Sequence, residues 1–418
     1  MDLQKLLVEK TCTCGKTHIC NIKHVMIEAN VLDKYDALLE KYNHVLLVAD
    51  QNTYEVFGKA VEAKLAGKVE AVCILERDGI LVPNETALAE INACFTENID
   101  LIVGVGSGVI QDLCKYVSFE AKLPYHIVAT APSMDGYASV GSALIIDNVK
   151  VTYSCHVPEA ILADTNILKD APMEMIQAGY GDILGKYSCL NDWKLSRVVN
   201  GEYFCQFVYD LTMEMVERVK DSGEALRGRD TDAIQNLMEA IIGVGIAMAY
   251  VGNSRPASGS EHHLSHYFEV VGLLRNEPYF MHGTDVVYST YYTQKVREML
   301  LQLDTVEEHE GESKEEREAN LRKIYDSAAN EIIALQDRMG WYEINRTPIY
   351  KEKWNEIKEV LSEVPSCEQI RAYIESVGLD LNEFAALYSE EKIENALRYA
   401  KDIKDRYTVL WMYYDLFV

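Results

Sequence analysis

At 418 residues the chain exceeds what one ordinary hydrophobic core serves, and its length predicts two domains. Forty Lys and Arg against 66 Asp and Glu leave a formal charge of -26, a field that excludes a nucleic-acid surface or an anionic membrane face as partner. An anionic small molecule would need a local nest of basic groups and helix N-termini to overcome it.

The opening MDLQKLLVEKTCTCG has no apolar run of signal length behind a basic flank, and nowhere do 18 apolar residues follow one another without a charge, so a cytoplasmic protein without membrane spans is expected. CTCGKTHIC then crowds Cys12, Cys14, His18 and Cys20 into nine residues. Structural zinc sites use ligand pairs separated by a longer loop, so an ordered arm or hairpin is the better reading. The other cysteines, Cys73, Cys94, Cys114, Cys155, Cys189, Cys205 and Cys367, are scattered singly, as reduced thiols in a reducing compartment are.

From about residue 24 to 165 apolar strand-like runs alternate with helical patterns. HVLLVAD (44–50), VEAVCIL (69–75), DLIVGVG (100–106) and PYHIVATA (124–131) read as strands, with YEVFGKAVEAKLAG, TALAEINACFTE and IQDLCKYVSFEA as the helices between them. That alternation predicts a parallel sheet with helical crossovers. After about residue 170 strand signals stop, and segments such as DAIQNLMEAIIGVGIAMAYVG and EKIENALRYAKDIKDRYTVLWMYY show helical periodicity to the end. The expected division is therefore 1–170 as an α/β domain and 171–418 as an α-helical one, with a helix start at the Asp-Ala-Pro of DTNILKDAPMEM. EEHEGESKEEREAN (307–320) reads as a solvated loop leading into a helix.

Gly104, Gly106 and Gly108 lie between a strand and a helix, where backbone N–H groups can approach a pyrophosphate. Their spacing is not G-x-G-x-x-G, and a plain tight turn is the alternative. Asp50 closes the HVLLVAD strand, as a ribose acceptor or as a helix N-cap. In TAPSMDGYASVGSAL (130–144), Ser133 and Ser139 are candidate donors to a cofactor; Asp135 is a candidate for substrate hydroxyls or part of an Asp-Gly turn. Farther on, AGYGDILGKYSCLNDW sets Lys186 four residues after Asp182, either an ordinary ion pair or part of a site.

SGSEHHLSHYFEV packs three histidines into a helical stretch. Its spacing is neither H-E-x-x-H nor H-x-x-E-H, which excludes the zinc-protease patterns. His262 and His266 share a helix face, whereas His263 is turned about 100° away. His282 of YFMHGTDV could close a three-ligand set with Asp182 and His262, donors that suit a catalytic divalent metal.

VGSGVIQDLCKY, TAPSMDGYAS, AGYGDILGKYSCLNDWKL, NSRPASGSEHHLSH and the His-Gly of MHGTDV, in this order and spacing, resemble the sn-glycerol-1-phosphate dehydrogenase family, particularly its bacterial branch, within the iron-containing alcohol dehydrogenase and dehydroquinate-synthase-like superfamily. The similarity covers most of residues 10–300. It implies a Rossmann-like N-terminal domain and an all-α C-terminal domain in a dehydroquinate synthase-like fold. It also implies interconversion of dihydroxyacetone phosphate and sn-glycerol 1-phosphate, an activity of phospholipid metabolism, with NAD or NADP and one divalent metal, zinc or nickel, with iron also chemically suited. Carried over residue by residue, Asp182, His262 and His282 hold the metal, and Asp135 and His266 face the substrate. Asp50, Gly106, Ser107, Gly108, Val109, Ile110, Thr130, Ala131, Pro132, Ser133 and Ser139 contact the dinucleotide. His266 is the expected proton carrier, and Lys186 and Arg255 are expected at the substrate phosphate, with ion pairs as the alternative for each. The expected assembly is a homodimer or higher homo-oligomer. Two departures stand out: Thr284 follows His-Gly where the family often has Glu, so a carboxylate behind the ligand histidine is in doubt, and Met134 replaces a small or polar residue. A dehydrogenase acting on glycerol or another polyol, a dehydroquinate-synthase-like lyase and a non-catalytic nucleotide-binding protein are the alternative functions.

Overall fold

The computed structural model describes residues 3–146 and 149–418. The chain forms two compact units, the first from Met1–Ile183 and Glu217–Ser254, the second from Leu184–Val216 and Arg255–Val418.

In the first unit a short hairpin, β1 (Lys10–Thr11) with β2 (Thr17–His18), precedes the sheet. CTCGKTHIC is thus a hairpin, with Cys14 Sγ 3.5 Å from His18 Nε2 and the His18 ring stacked on Tyr250. The strands β3 (His24–Glu28), β4 (Val45–Asp50), β5 (Val69–Leu75), β6 (Leu101–Gly106), β7 (Tyr125–Ala129) and β10 (Ala160–Asp164) form one sheet in the order β3-β10-β7-β6-β4-β5. Every pairing in it is parallel. The residues of β6, β7 and β10 are all buried, as expected when helices cover both faces of a parallel sheet. Four of the six strands match runs read from the sequence. β8 (Gly141–Ile146) and β9 (Val149–Ser154) form a separate antiparallel hairpin.

The helix Thr231–Val251 is long and apolar enough to cross a membrane, yet most of it is buried against this unit. It packs on the 3-10 turn Asp135–Ala138, which explains why residues 217–254 return to the sheet-bearing unit. Gly179, in the helix Met173–Leu184, is a close approach of another kind: a Cβ there would lie 1.7 Å from the Pro132 carbonyl oxygen.

Among the described residues of the second unit the only regular elements are helices. The helices Lys186–Asn200, Ser260–Arg275 and His282–Leu301 lie against one another. A core around Tyr350, Trp354, Tyr407 and Trp411 organises the last third of the chain. EKIENALRYAKDIKDRYTVLWMYY is not one helix. It divides into Glu390–Tyr399, the 3-10 turn Ala400–Ile403 and Val409–Phe417. The break falls at a buried polar knot that a continuous helix could not satisfy: Lys401 pairs with Asp402 at 2.8 Å and sits 3.8 Å from the Tyr414 ring centroid, while the Asp402 carbonyl accepts from Gln336.

Because the Pro132 carbonyl cannot retreat without moving the loop after β7, Gly179→Ala should destabilise the protein by about 3 kcal/mol or more. Denaturant unfolding measures this, and a loss below about 0.5 kcal/mol contradicts the packing described.

Candidate functional site

The carboxyl ends of β4, β6 and β7 lie side by side in the first unit's sheet, where an open α/β sheet presents its ligand-binding loops. From β6 the chain turns at Ser107 into the helix Gly108–Ala121. A Cβ at Gly108 would lie 2.9 Å from Met134 Cε, so the Met134 side chain rests over the glycine turn. Thr130 N–H donates to the Gly106 carbonyl at 3.1 Å, holding the start of the Thr130–Ser133 stretch against that turn. Gly106, Ser107, Gly108, Val109, Ile110, Thr130, Ala131, Pro132 and Ser133 are therefore contiguous at this edge. Ser139 stands farther along, its hydroxyl engaged with the Gly136 and Gly141 carbonyls. At the neighbouring strand end Asp50 is a helix N-cap: its Oδ1 accepts from Asn52 N at 2.8 Å and Thr53 N at 3.0 Å. The cap uses one carboxylate oxygen, so the two readings of Asp50 do not compete.

Sequence reasoning missed Lys115. Buried on the Gly108–Ala121 helix, its ammonium donates to the Gly136 carbonyl at 2.9 Å and the Gly141 carbonyl at 2.6 Å, closing the loop that presents Asp135 and Ser139. Burial lowers its pKa, and Asp112 partly offsets this. A lysine on the inner face of an apolar helix was the available signal. Asp135 is buried, and its N–H donates to Asp182 Oδ2 at 2.9 Å, so these two acids are neighbours within the first unit.

In the second unit the helix Ser260–Arg275 carries His262 and His266, and His282 opens the next helix. The three rings meet: centroids are 5.0 Å apart for His262 and His282, 5.4 Å for His266 and His282, and 5.9 Å for His262 and His266. His266, Glu269 and His282 also offer donor atoms within 4.8 Å of one another. His263 is buried on another face, where burial and the charges of Lys404, Arg406 and Arg255 hold its pKa well below the usual histidine value.

The carboxylate doubted at Thr284 exists elsewhere. Glu261 Oε1 lies 2.7 Å from His262 Nδ1 and accepts from Gly259 N–H at 2.9 Å. Burial alone would raise this carboxyl, but the His262 hydrogen bond and charge, the Gly259 N–H and Lys186 hold it below the ordinary value. A carboxylate on Nδ1 fixes the tautomer that leaves Nε2 as the ligand atom. Asp285, one turn into the His282 helix, instead accepts from the Tyr388 hydroxyl at 3.1 Å through each oxygen.

Asp192 was also missed. It is fully buried, takes the Ser260 N–H at 2.6 Å and the Val409 N–H at 2.9 Å, and pairs with buried Arg297 at 2.8 Å. One carboxylate thus caps the starts of two helices. Lys186 is buried and donates to the Ala257 carbonyl at 3.0 Å. The Arg255 fork grips both oxygens of Glu202, at 2.9 and 2.7 Å, so the ion-pair alternative describes it and its bidentate face is not turned to a phosphate.

The chain matches the model of the iron-containing alcohol dehydrogenase family over residues 26–172. It is 31% identical to the glycerol-1-phosphate dehydrogenase (NAD(P)+) of Geobacillus thermodenitrificans, over 88% of this chain and 86% of that protein. It is 30% identical to the enzyme of the same name from Halalkalibacterium halodurans, over 97% of this chain and 95% of that protein. Among solved structures, sulfoacetaldehyde reductase from Bifidobacterium kashiwanohense in complex with NAD+ is similar in fold, with TM-score 0.61 and 11% identity over 95% of this chain and 97% of that one.

Glu261→Gln should weaken binding of a divalent metal about 10–100-fold, read by competition with a chromogenic chelator. His262→Ala should lose metal and turnover together, whereas His266→Ala should keep the metal and lose mainly turnover. Equal metal loss in the two histidine variants would overturn that division of roles.

Proposed function

The chain belongs to the glycerol-1-phosphate dehydrogenase family, and from that premise we propose that it interconverts dihydroxyacetone phosphate and sn-glycerol 1-phosphate, using NAD or NADP and one divalent metal, zinc, nickel or iron. The observation that carries this reading is the cluster of His262, His266 and His282, with Glu261 orienting His262. Imidazole nitrogens and a carboxylate are the donors that such metals take at catalytic sites with an open position.

In this reading Asp182, His262 and His282 hold the metal, Asp182 being carried by the last turn of its helix just before the chain enters the second unit. The metal, when bound, supplies Lewis-acid charge to the reacting oxygen. A nicotinamide dinucleotide held here would supply hydride chemistry at C2. Gly106 to Ile110 and Thr130 to Ser133 would hold its pyrophosphate with backbone N–H groups and the helix N-terminus, with Ser139 closing the same edge. Asp50 accepts from a ribose hydroxyl, with one oxygen left over from its cap. Asp135 orients a substrate hydroxyl. His266, one helical turn from His262, passes the proton to or from the C2 oxygen, a role an imidazole can fill. Glu261 keeps His262 in one tautomer throughout. The same reading makes the protein a cytoplasmic homo-oligomer, with a sedimentation mass of at least twice that of the chain.

The test is NADH or NADPH oxidation by purified, metal-loaded protein with dihydroxyacetone phosphate, followed by chiral analysis of the product. The expected product is sn-glycerol 1-phosphate. Formation of sn-glycerol 3-phosphate, faster turnover of glycerol than of its phosphate, or no turnover with zinc, nickel or iron contradicts the reading.

A further inference from the structure

The hairpin of β1 and β2 is too short to hold itself. Its ladder has two opposed pairs, Lys10 with His18 and Thr11 with Thr17, and even a longer isolated pair of strands is marginal in water. Yet its His18 is fully buried. The ring stacks on Tyr250, and Nδ1 lies 3.1 Å from the Tyr250 carbonyl, in the last turn of the helix Thr231–Val251, where carbonyls take donors from outside the helix. A carbonyl only accepts, so Nδ1 carries the proton and Nε2 presents a lone pair. A metal-ligating imidazole is oriented in this way, its other nitrogen donating to a backbone carbonyl or a carboxylate. The Tyr250 hydroxyl donates to the Leu6 carbonyl, so one residue moors the arm twice.

That lone pair faces sulfur. Cys14 Sγ is 3.5 Å from His18 Nε2, and the donor atoms of Cys12, Cys14 and His18 all lie within 4.8 Å of one another. The ladder brings them together. Lys10 opposes His18, so Cys12, two residues on, shares the face that carries the imidazole. The turn is closed by Cys12 N–H on the Lys16 carbonyl at 3.0 Å and Gly15 N–H on the Cys12 carbonyl at 3.1 Å, which swings Cys14 to the same side. Gly15, at φ +87°, supplies the left-handed residue this turn requires. Two donors on one tetrahedral zinc, sulfur at about 2.3 Å and nitrogen at about 2.0 Å from the ion, stand about 3.5 Å apart. Cys14 and His18 have that spacing. A thiol–imidazole hydrogen bond alone accounts for Cys14 but gives no reason for Cys12 in the same place.

We propose that Cys12, Cys14 and His18 bind a structural zinc ion that clips the N-terminal arm to the end of the helix Thr231–Val251, and that shares no ligand with the metal of the reaction. Nine residues do not wrap an ion by themselves, but this hairpin supplies three donors rather than four and leaves one position for a further donor. Zinc displaces the two thiol protons, and two thiolates with a neutral imidazole balance its charge. Thiolate and imidazole are donors that take zinc and refuse magnesium and calcium. Cys12 and Cys14 are partly exposed, so the ion reaches them. Cys20 stands outside the set: it is buried, and burial pushes its thiol up to about 11. The ion contributes stability where the two-pair ladder offers little, because a bound metal favours the folded arm over the unfolded one.

Zinc-loaded, reduced full-length protein should show sulfur at about 2.3 Å in its zinc X-ray absorption. The donors assigned to the metal of the reaction are nitrogen and oxygen only, so a sulfur shell reports the hairpin. The double variant Cys12→Ser with Cys14→Ser should lose that shell together with one zinc per chain. Zinc held here adds the same shell to every variant that keeps the hairpin, and differences among those variants report the metal of the reaction alone. If the double variant does not fold, alkylation mapped by mass spectrometry carries the test on the wild type: zinc should protect Cys12 and Cys14, and a chelator should expose them. A zinc spectrum without sulfur, zinc content unchanged in the double variant, or alkylation of both thiols indifferent to zinc overturns the site. Thiols that react only after a reductant is added identify a disulfide between Cys12 and Cys14 and overturn it as well.

Discussion

The second unit depends on one buried ion pair. Asp192 and Arg297 are both fully buried and meet at 2.8 Å, and each makes further hydrogen bonds to its surroundings. Asp192 fixes the Ser260 and Val409 N–H groups, and Arg297 donates to Asn191 at 2.9 Å and to the Ser188 carbonyl at 3.1 Å. Four helices are tied by these two side chains. The position and tilt of the Ser260–Arg275 helix, and with them the places of His262 and His266, follow from where Asp192 holds its first turn. A buried pair contributes little net stability, but removing one partner leaves an uncompensated charge costing about 3–5 kcal/mol. Its value is in fixing one arrangement of the helices.

The same economy operates in the first unit. Lys115 reaches from the helix after the glycine turn to the loop after β7, so the two backbone segments that present N–H groups at the sheet edge are coupled through one ammonium. Gly179 brings a third segment against Pro132, and Asp182 on the same helix accepts from Asp135. Loop, glycine turn and acid-bearing helix are therefore positioned together.

The sequence made legible what repeats or alternates. The runs ending at Asp50, Gly106 and Ala129 stand out because a strand buried on both faces is apolar at nearly every position, and the edge strand ending at Leu75, though only partly buried, is still mostly apolar. Motif order was enough to single out His262, His266 and His282, whose rings prove to be neighbours. Asp192 and Arg297 were not legible in the same way. Each reads as an ordinary charge on an amphipathic helix, and its partner lies in another element more than a hundred residues away. Lys115 stood out only as a lysine on the apolar face of its helix, and the loop carbonyls it bonds were not legible. Periodicity reports neighbours on one helix and is silent about such contacts. Glu261 stands beside His262 in the sequence, but adjacency does not tell a carboxylate that bonds the ring from one that faces solvent. The break between Tyr399 and Val409 escaped because its cause, the buried Lys401 and Asp402, looks like ordinary surface charge in a helical pattern.

Beside the proposed set of His262 and His282 with Asp182, the second unit offers another: His266, Glu269 and His282, whose donors lie within 4.8 Å of one another. The tautomer fixed by Glu261 favours the first, because it commits His262 Nδ1 and leaves Nε2 as the donor. X-ray absorption on zinc-loaded wild-type, Asp182→Asn and Glu269→Gln proteins decides between them most directly. The account predicts two imidazoles and one carboxylate in the wild type, loss of the carboxylate in Asp182→Asn and an unchanged spectrum in Glu269→Gln. A spectrum altered by Glu269→Gln and untouched by Asp182→Asn would contradict it.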